Sequence, residues 1–179
     1  MKILLCCLLL AILFQPGQSI DKSGQSFRTI PIPIREHGYN TFESIVLTSP
    51  KDLDSFLKDT ITKGGWNDRQ GFEDALLNAK LDFSKEALVL LRHSEGSGSI
   101  KVTFETPVLK DRTLVCEIQG RRVPPGYGVT LDMAYYCFAL AVSKAHVTQV
   151  ELQATQGGFS PRRLPPIVLP IIEKTPVVQ

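Results

Sequence analysis

The chain between residues 81 and 119 contains three apolar patterns that each predict a β-strand. Residues 87–91 are five consecutive apolar side chains, which is typical of a strand that is covered on both faces. Two later stretches show the period of two of half-buried strands: Ile100, Val102 and Phe104, then Leu114, Cys116 and Ile118. We therefore expect a central strand at residues 86–91 that continues into a β-meander.

Residues 26–34 form another alternating stretch, in which two prolines lie between isoleucines. Pro31 and Pro33 separate the isoleucines at positions 30, 32 and 34. Because alternate amides of a strand point to the same side, these prolines remove donors from one edge and leave the other edge free to pair. The pattern predicts an edge strand that is protected from further pairing. A turn at residues 37–40 and a second strand at residues 42–48 should follow.

Two short amphipathic helices are predicted before the central strand. Ser49 and Pro50 supply the cap and the first-turn proline of the first helix, and Asn67 with Gln70 resembles the capping box of the second. Apolar residues then recur at helical spacing: Leu53, Phe56, Leu57 and Ile61, followed by Phe72, Ala75, Leu76 and Ala79. Trp66, between the helices, is expected to cover the core.

Two more alternating stretches, at residues 136–142 and 150–154, predict the last strands of the domain. We expect residues 20–156 to form one α+β domain: a mainly antiparallel sheet of meander, sandwich or barrel type with the two N-terminal helices packed on it. Residues 157–179 form an apolar tail whose five prolines exclude a helix or a central strand. The tail is expected to dock in extended form across its own domain, with addition to a partner's sheet as the alternative.

The N-terminus has the features of a secretory signal peptide. Lys2 precedes an apolar run at residues 3–14, and small residues occupy the third-last and last positions before Ile20. The run is shorter than the roughly 20 apolar residues of a membrane span. We therefore predict that residues 1–19 are removed and that the protein is secreted or periplasmic, with no membrane span.

The four cysteines form two pairs. Cys6 and Cys7 lie inside the apolar run, too early for a lipid-attachment cysteine, so no lipid anchor is expected. Cys116 and Cys137 remain after export, where disulfides form. We predict a bridge between them, worth about 3 kcal/mol in the chain-entropy model. Two unlinked buried thiols are the alternative.

The charges of the chain are almost balanced, with 20 basic and 18 acidic side chains. Nucleic acids and anionic membranes attract proteins that cluster basic charge. The balance therefore argues against nucleic acid or a membrane surface as the main partner.

The histidines give no sign of a metal site. His37, His93 and His146 lie at wide spacings that match no zinc motif. We therefore predict neither a metal nor a cofactor.

The glycine loop, residues 95–99, is the stretch most similar to a ligand-binding loop. It lacks the GK[ST] or third glycine of a phosphate-binding loop and the GxSxG of a nucleophile elbow, so a connection between strands is the favoured interpretation. Asp82, Glu86 and Glu95 are candidates for a carboxylate pair, although most such acids lie on the surface. No catalytic residue is predicted.

The order of these features over residues 41–153 resembles the C-terminal domain of PrcB-type proteins, the lipoprotein subunit family of the dentilisin protease complex. The matching features are Asp82-Phe83, the apolar strand at residues 87–91, Gly96 and Gly98, Pro125-Gly126, and the strand from Tyr136 to Lys144. The chain has Gly98-Ser99-Ile100 where the family tends to have Gly-Gly-Tyr, and it lacks the lipoprotein cysteine. The resemblance implies a role in assisting or stabilising a partner protein, with a protease as a candidate.

The expected function is that of an exported, non-catalytic module that binds another protein. Its predicted contact residues are Arg121, Arg122 and Tyr127, in a stiff loop that also carries Pro124-Pro125-Gly126, together with Gly96 and Gly98. Prolines lower the entropy cost of binding, and arginine offers forked donors. The alternatives are a hydrolase whose site is assembled from distant residues and a protease inhibitor that uses this loop.

Overall fold

Within residues 26–172, which the computed structural model describes, the chain forms three layers. Two helices cover one face of a four-stranded sheet, and a six-stranded sheet covers its other face. In chain order the elements are β1 (Phe27–Ile30), the 3-10 helix η1 (His37–Thr41), β2 (Ile45–Leu47), α1 (Pro50–Asp59), α2 (Arg69–Leu77), β3 (Glu86–Glu95), β4 (Val102–Phe104), β5 (Val108–Lys110), β6 (Thr113–Gly120), β7 (Ala134–Ser143), β8 (Gln149–Gln156), β9 (Arg162–Arg163) and β10 (Ile167–Pro170). The predicted signal peptide lies outside the described residues, as does the end of the predicted tail.

Both sheets are mainly antiparallel, which confirms the predicted α+β class. The smaller sheet has the order β1-β7-β3-β2, and the larger has the order β10-β8-β6-β4, with β5 also paired to β6 and β9 to β8. The pair β6–β8 is parallel. β1 lies at the edge of the smaller sheet, as predicted, but it ends at Ile30, so Pro31 and Pro33 follow the strand instead of lying within it.

β3 and β7 form the centre of the molecule and pair over their whole length. Leu88 and Leu90 of β3 lie in the core under the helices, whereas Val89 and Leu91 lie in the core between the two sheets. This position between two cores explains the unbroken apolar run and confirms the prediction of a central strand. β3 continues beyond residue 91 to Glu95, because β7 pairs with it along this stretch as well.

The predicted β-meander is wrong, because β3 belongs to the smaller sheet whereas β4 and β6 belong to the larger one. Residues 96–101 carry the chain from one sheet to the other. A strand with two apolar faces needs a cover on each side, and strands with one apolar face supply the second cover. The unpredicted strand β5 joins β6 through a turn at Asp111 and Arg112, which have φ values of 45° and 64°.

The two helices begin with polar caps. Ser49 caps α1 as predicted, but the cap of α2 is Asp68, whose side chain accepts from the Gly71 N–H at 2.8 Å. The expected cap, Asn67, instead donates its N–H to the Glu36 carboxylate at 2.8 Å. None of the helices among residues 26–172 has the length and apolar character needed to cross a membrane.

An aromatic cluster lies in the core under the helices. Trp66 stacks on Phe72 with ring centroids 5.1 Å apart, and its ring meets Tyr39 edge-on at 5.4 Å. Trp66 is half-buried and covers this core, as expected from its place between the helices. Burial raises the pKa of Tyr39, whose hydroxyl donates to the Pro33 carbonyl.

The structure corrects the predicted disulfide, since Cys116 and Cys137 are both free and buried. Cys116 lies in the core between the sheets, and Cys137 lies under the helices on the other face of the smaller sheet. The two thiols thus belong to different layers, a separation that spacing along the chain does not reveal. Burial raises the pKa of the Cys116 thiol to about 12, so the reactive thiolate is disfavoured.

The described part of the tail docks on its own domain. β9 and β10 both pair with β8 in antiparallel register, and β10 forms an edge of the larger sheet. The extended docking that the prolines predicted is therefore present through Pro170, with no central strand formed by the tail.

Candidate binding site

Hydrogen bonds hold the β6–β7 loop, residues 121–133, at both ends. At its start, the Val123 N–H donates to the Gly158 carbonyl at 2.9 Å, and the Gly158 N–H donates to the Arg121 carbonyl at 3.1 Å. At its end, the Asp132 carbonyl accepts from the Gly98 N–H at 2.9 Å. Residues 124–128, between these anchors, are exposed.

The glycine loop lies against the end of the β6–β7 loop. The Thr130 hydroxyl lies 3.0 Å from the Ser97 hydroxyl, and the Thr130 N–H donates to the Ser99 hydroxyl oxygen at 3.2 Å. The two loops that the sequence singled out separately are therefore neighbours.

Arg35 links these two loops. Its guanidinium donates to the Gly98 carbonyl at 3.1 Å and lies 3.5 Å from the Asp132 carboxylate. A Cβ at Gly98 would lie 2.4 Å from Arg35 Nη2 and 2.5 Å from Asp132 Oδ2, so glycine leaves room for this ion pair. Hydrogen bonding, chiefly from the Thr130 hydroxyl, lowers the pKa of the Asp132 carboxyl. Gly96, the other predicted glycine, has no such neighbour within 4 Å.

The β6–β7 loop exposes three large apolar side chains. Leu131 is 98 % exposed, Tyr127 68 % and Met133 48 %. Arg121 and Arg122 are exposed at the start of the loop, so the three predicted contact residues of this loop all lie at the surface. Leu131 and Met133 were missed by the sequence analysis, although two large apolar residues in a segment without a predicted element were a usable signal.

A cleft of about 380 Å³ opens beside the end of this loop, and we call it the Glu36 cleft. It is lined by Arg35, Glu36, His37, Asn67, Asp132, Met133, Ala134 and Tyr135. Glu36 is the buried acid among them, at 5 % exposure, and its carboxylate accepts the Asn67 N–H described above. The His37 and Tyr135 rings meet edge-on with centroids 5.7 Å apart. Sequence reasoning did not find this cleft, because its residues come from three separate segments of the chain.

A second buried glutamate, Glu95, ties the two sheets together. Its carboxylate lies 2.7 Å from His93 Nε2 and accepts the Gly157 N–H at 3.1 Å through both oxygens. Gly120 makes room for it, since a Cβ there would lie 2.0 Å from Glu95 Oε1. Ser97 lies two residues after Glu95, and its hydroxyl contacts the Thr130 hydroxyl and not His93. The structure therefore does not assemble a Ser–His pair from His93 and Ser97.

Two larger clefts, of about 520 and 660 Å³, lie beside α1. Lys144 lines the first, and its ammonium donates to the carbonyls of Thr48 at 3.1 Å and Phe83 at 2.7 Å. In the same cleft, a hydrogen bond from the Ser84 hydroxyl lowers the pKa of Asp82.

The fold places the protein in the three-layer α+β class. Its candidate site consists of the anchored β6–β7 loop, with its exposed apolar side chains, and the neighbouring Glu36 cleft. Comparisons of the chain with family models, with curated proteins and with solved structures found no match. The resemblance to the PrcB family therefore stays a prediction.

Proposed function

We propose that this chain is an exported, non-catalytic module that binds another protein through the β6–β7 loop. The observation that carries the proposal is the 98 % exposure of Leu131, on a loop that also exposes Tyr127 and Met133. Apolar and aromatic side chains grouped at a surface are typical of protein-binding sites, where aromatic anchors contribute much of the affinity.

The anchoring of the loop supports the same proposal. Hydrogen bonds with Gly158, Gly98 and Ser99 hold its two ends, and Pro124 and Pro125 restrict the backbone between them. A loop that is ordered before binding loses less conformational entropy when a partner arrives. The β6–β7 loop can therefore present Tyr127 and Leu131 at low entropic cost.

Export and the kind of partner rest on the sequence. The signal-peptide pattern of residues 1–19 supports an extracytoplasmic location. The resemblance to the PrcB family suggests a protease, or a subunit of its complex, as the partner that this module assists or stabilises.

Affinity isolation from the native envelope or medium tests the proposal. The wild type is compared with a Tyr127→Ser and Leu131→Ser double variant, and captured proteins are identified by mass spectrometry. We expect at least one partner to be captured by the wild type and lost from the double variant, because the aromatic and aliphatic anchors are removed.

The matched control is Leu77→Ser, which changes a residue of α2 that is 58 % exposed and outside the proposed surface. It should retain the partner. Identical capture by all three proteins would refute the role of the β6–β7 loop. Loss of capture in the control as well would show that the captured protein responds to surface hydrophobicity in general.

A further inference from the structure

We infer that the Glu36 cleft is a binding site for a cationic side chain, an arginine or a lysine, of the protein partner. The identity of the occupant as part of a partner rests on the proposed function. The chemistry of the site rests on four features of the cleft itself, which concern the charge, its neighbours, the walls and the rim.

The first feature is the buried charge of Glu36. Its side chain is 5 % exposed, and within residues 26–172 its carboxylate accepts one hydrogen bond, from the Asn67 N–H at 2.8 Å. A carboxylate can accept about four hydrogen bonds. Among residues 26–172, no cationic nitrogen forms an ion pair with Glu36. A buried charge without a counter-charge is costly, so a cation that enters the cleft gives Glu36 the counter-charge that residues 26–172 do not supply.

The second feature is that the neighbouring cations are already paired. Arg35 lies 3.5 Å from the Asp132 carboxylate, and Arg92 lies 2.5 Å from the Glu43 carboxylate. Each of these two arginines therefore already has an acidic partner. Near the cleft, the charge that lacks a counter-charge among residues 26–172 is that of Glu36. Its field contributes, after burial and the Cys137 thiol, to the raised pKa of Tyr39.

The third and fourth features are the shape of the cleft and its apolar rim. A volume of about 380 Å³ accommodates one long side chain. The edge-on His37 and Tyr135 rings provide an aromatic wall, and Met133, at 48 % exposure, provides an adaptable apolar contact. Arginine and lysine have an apolar stem with a charged end. The stem can therefore pack against the apolar rim while the charged end pairs with Glu36.

The backbone holds Glu36 in place for this role. Its N–H donates to the Tyr135 carbonyl at 3.2 Å, and Asn67 is held directly before the cap of α2. The carboxylate is therefore positioned by β7 on one side and by the helical layer on the other. Glu36 lines the open cleft while it makes both of these contacts.

Binding of small probes to the full-length protein tests the site without any partner. N-acetyl-L-arginine amide and N-acetyl-L-lysine amide are the cationic probes, and N-acetyl-L-citrulline amide is the neutral mimic of arginine. The amide NMR signals of His37, Asn67 and Tyr135 are followed during titration. We expect saturable shifts with a cationic probe and at least tenfold weaker binding of citrulline, because hydrogen bonds to ionised groups are the stronger ones.

Two variants locate the charge that binds the probe. Glu36→Gln keeps an acceptor for the Asn67 N–H and removes the negative charge. We expect its affinity for the arginine and lysine probes to be about tenfold lower than that of the wild type. The matched control is Glu105→Gln, the same substitution at an exposed position outside the cleft, and it should change binding by less than about threefold because an exposed, distant charge contributes little.

Three results would overturn the inference: equal binding of arginine and citrulline by the wild type, unchanged binding by Glu36→Gln, or a loss of the same size in Glu105→Gln. The comparison of arginine with citrulline decides the matter even if Glu36→Gln fails to fold. If the wild type binds the cationic probes but the Tyr127→Ser and Leu131→Ser variant still captures every partner, the proposed function is refuted and the cleft is not. If that variant loses its partner but the wild type does not bind the probes, the cleft is refuted and the proposed function is not.

Discussion

Glu95 and Glu36 are both buried glutamates, but the chain completes the surroundings of one and leaves those of the other open. The Glu95 carboxylate contacts His93 at 2.7 Å and accepts the Gly157 N–H with both oxygens. The Glu36 carboxylate accepts the Asn67 N–H and lines a cleft of about 380 Å³. Glu95 joins two sheets, whereas Glu36 lines an open cleft.

This difference shows how a structural acid can be told from a binding acid. A buried polar group must be satisfied, and the usual partners belong to the same chain. When the chain supplies them all, as for Glu95, the group stabilises the fold. When a buried carboxylate has no counter-charge and solvent can reach its surroundings, as for Glu36, it favours binding over stability.

The largest expected effect is that of Glu95→Ala on stability. The change leaves the buried His93 side chain and the Gly157 N–H without the Glu95 carboxylate as partner, and each buried polar group left unsatisfied costs about 1–3 kcal/mol. Urea unfolding followed by circular dichroism measures the loss. Glu105→Ala, at an exposed position, is the control and should stay within about 0.5 kcal/mol of the wild type. Equal effects of the two changes would contradict the structural role of Glu95.

The next effect tests the space around Glu95. A Cβ at Gly120 would lie 2.0 Å from Glu95 Oε1 and 2.4 Å from the Gly157 backbone nitrogen, and the backbone cannot move away as a flexible side chain can. We expect Gly120→Ala to destabilise the protein by about 1–3 kcal/mol, as overpacking does. Gly128→Ala, where no atom lies within 4 Å of the added Cβ, should change the unfolding free energy little. A stable Gly120→Ala variant would mean that Glu95 is less confined than described.

Glu36→Gln is expected to change the unfolding free energy less than Glu95→Ala does, and in the opposite direction. The amide oxygen can still accept the Asn67 N–H, and the uncompensated buried charge is gone. The unfolding free energy should stay the same or rise by up to about 1 kcal/mol. Urea unfolding at neutral pH checks this value beside that of Glu95→Ala. A clear loss of stability in Glu36→Gln would place Glu36 in the same structural class as Glu95.

The smallest effect on stability is expected for Leu131→Ser. Its side chain is 98 % exposed, so little apolar contact is lost, and the unfolding free energy should change by less than about 0.5 kcal/mol. Thermal unfolding measures this change. A large drop in melting temperature would show that Leu131 packs against the domain and would remove it from the proposed surface.

Local patterns predicted much of the fold. The apolar run at residues 87–91 identified the central strand, Ser49 identified the start of α1, and the prolines at positions 31 and 33 identified an edge strand. Each of these features depends on neighbouring residues of the chain, through side-chain periodicity, capping or a missing N–H. The cap of α2 was misplaced by one residue, because Asn67 and Asp68 are both good caps and a distant residue, Glu36, binds the Asn67 N–H.

The binding surface was predicted in part. Tyr127, Arg121 and Arg122 could be named because a proline- and glycine-bearing loop is recognisable from its own residues. The contact of this loop with Gly98 could not be named, since it depends on hydrogen bonds between residues that lie more than thirty positions apart.

The order of residues alone thus decided which segments become strands, helices and stiff loops, because those outcomes follow from spacing and from the chemistry of neighbours. Tertiary structure decided which sheet each strand joins, that Cys116 and Cys137 lie in separate cores, and which of two similar glutamates has its partners within the chain. The physical reason is that burial and pairing are set by groups from distant segments. Glu36 and Glu95 differ in what packs around them, and that difference exists only in the folded molecule.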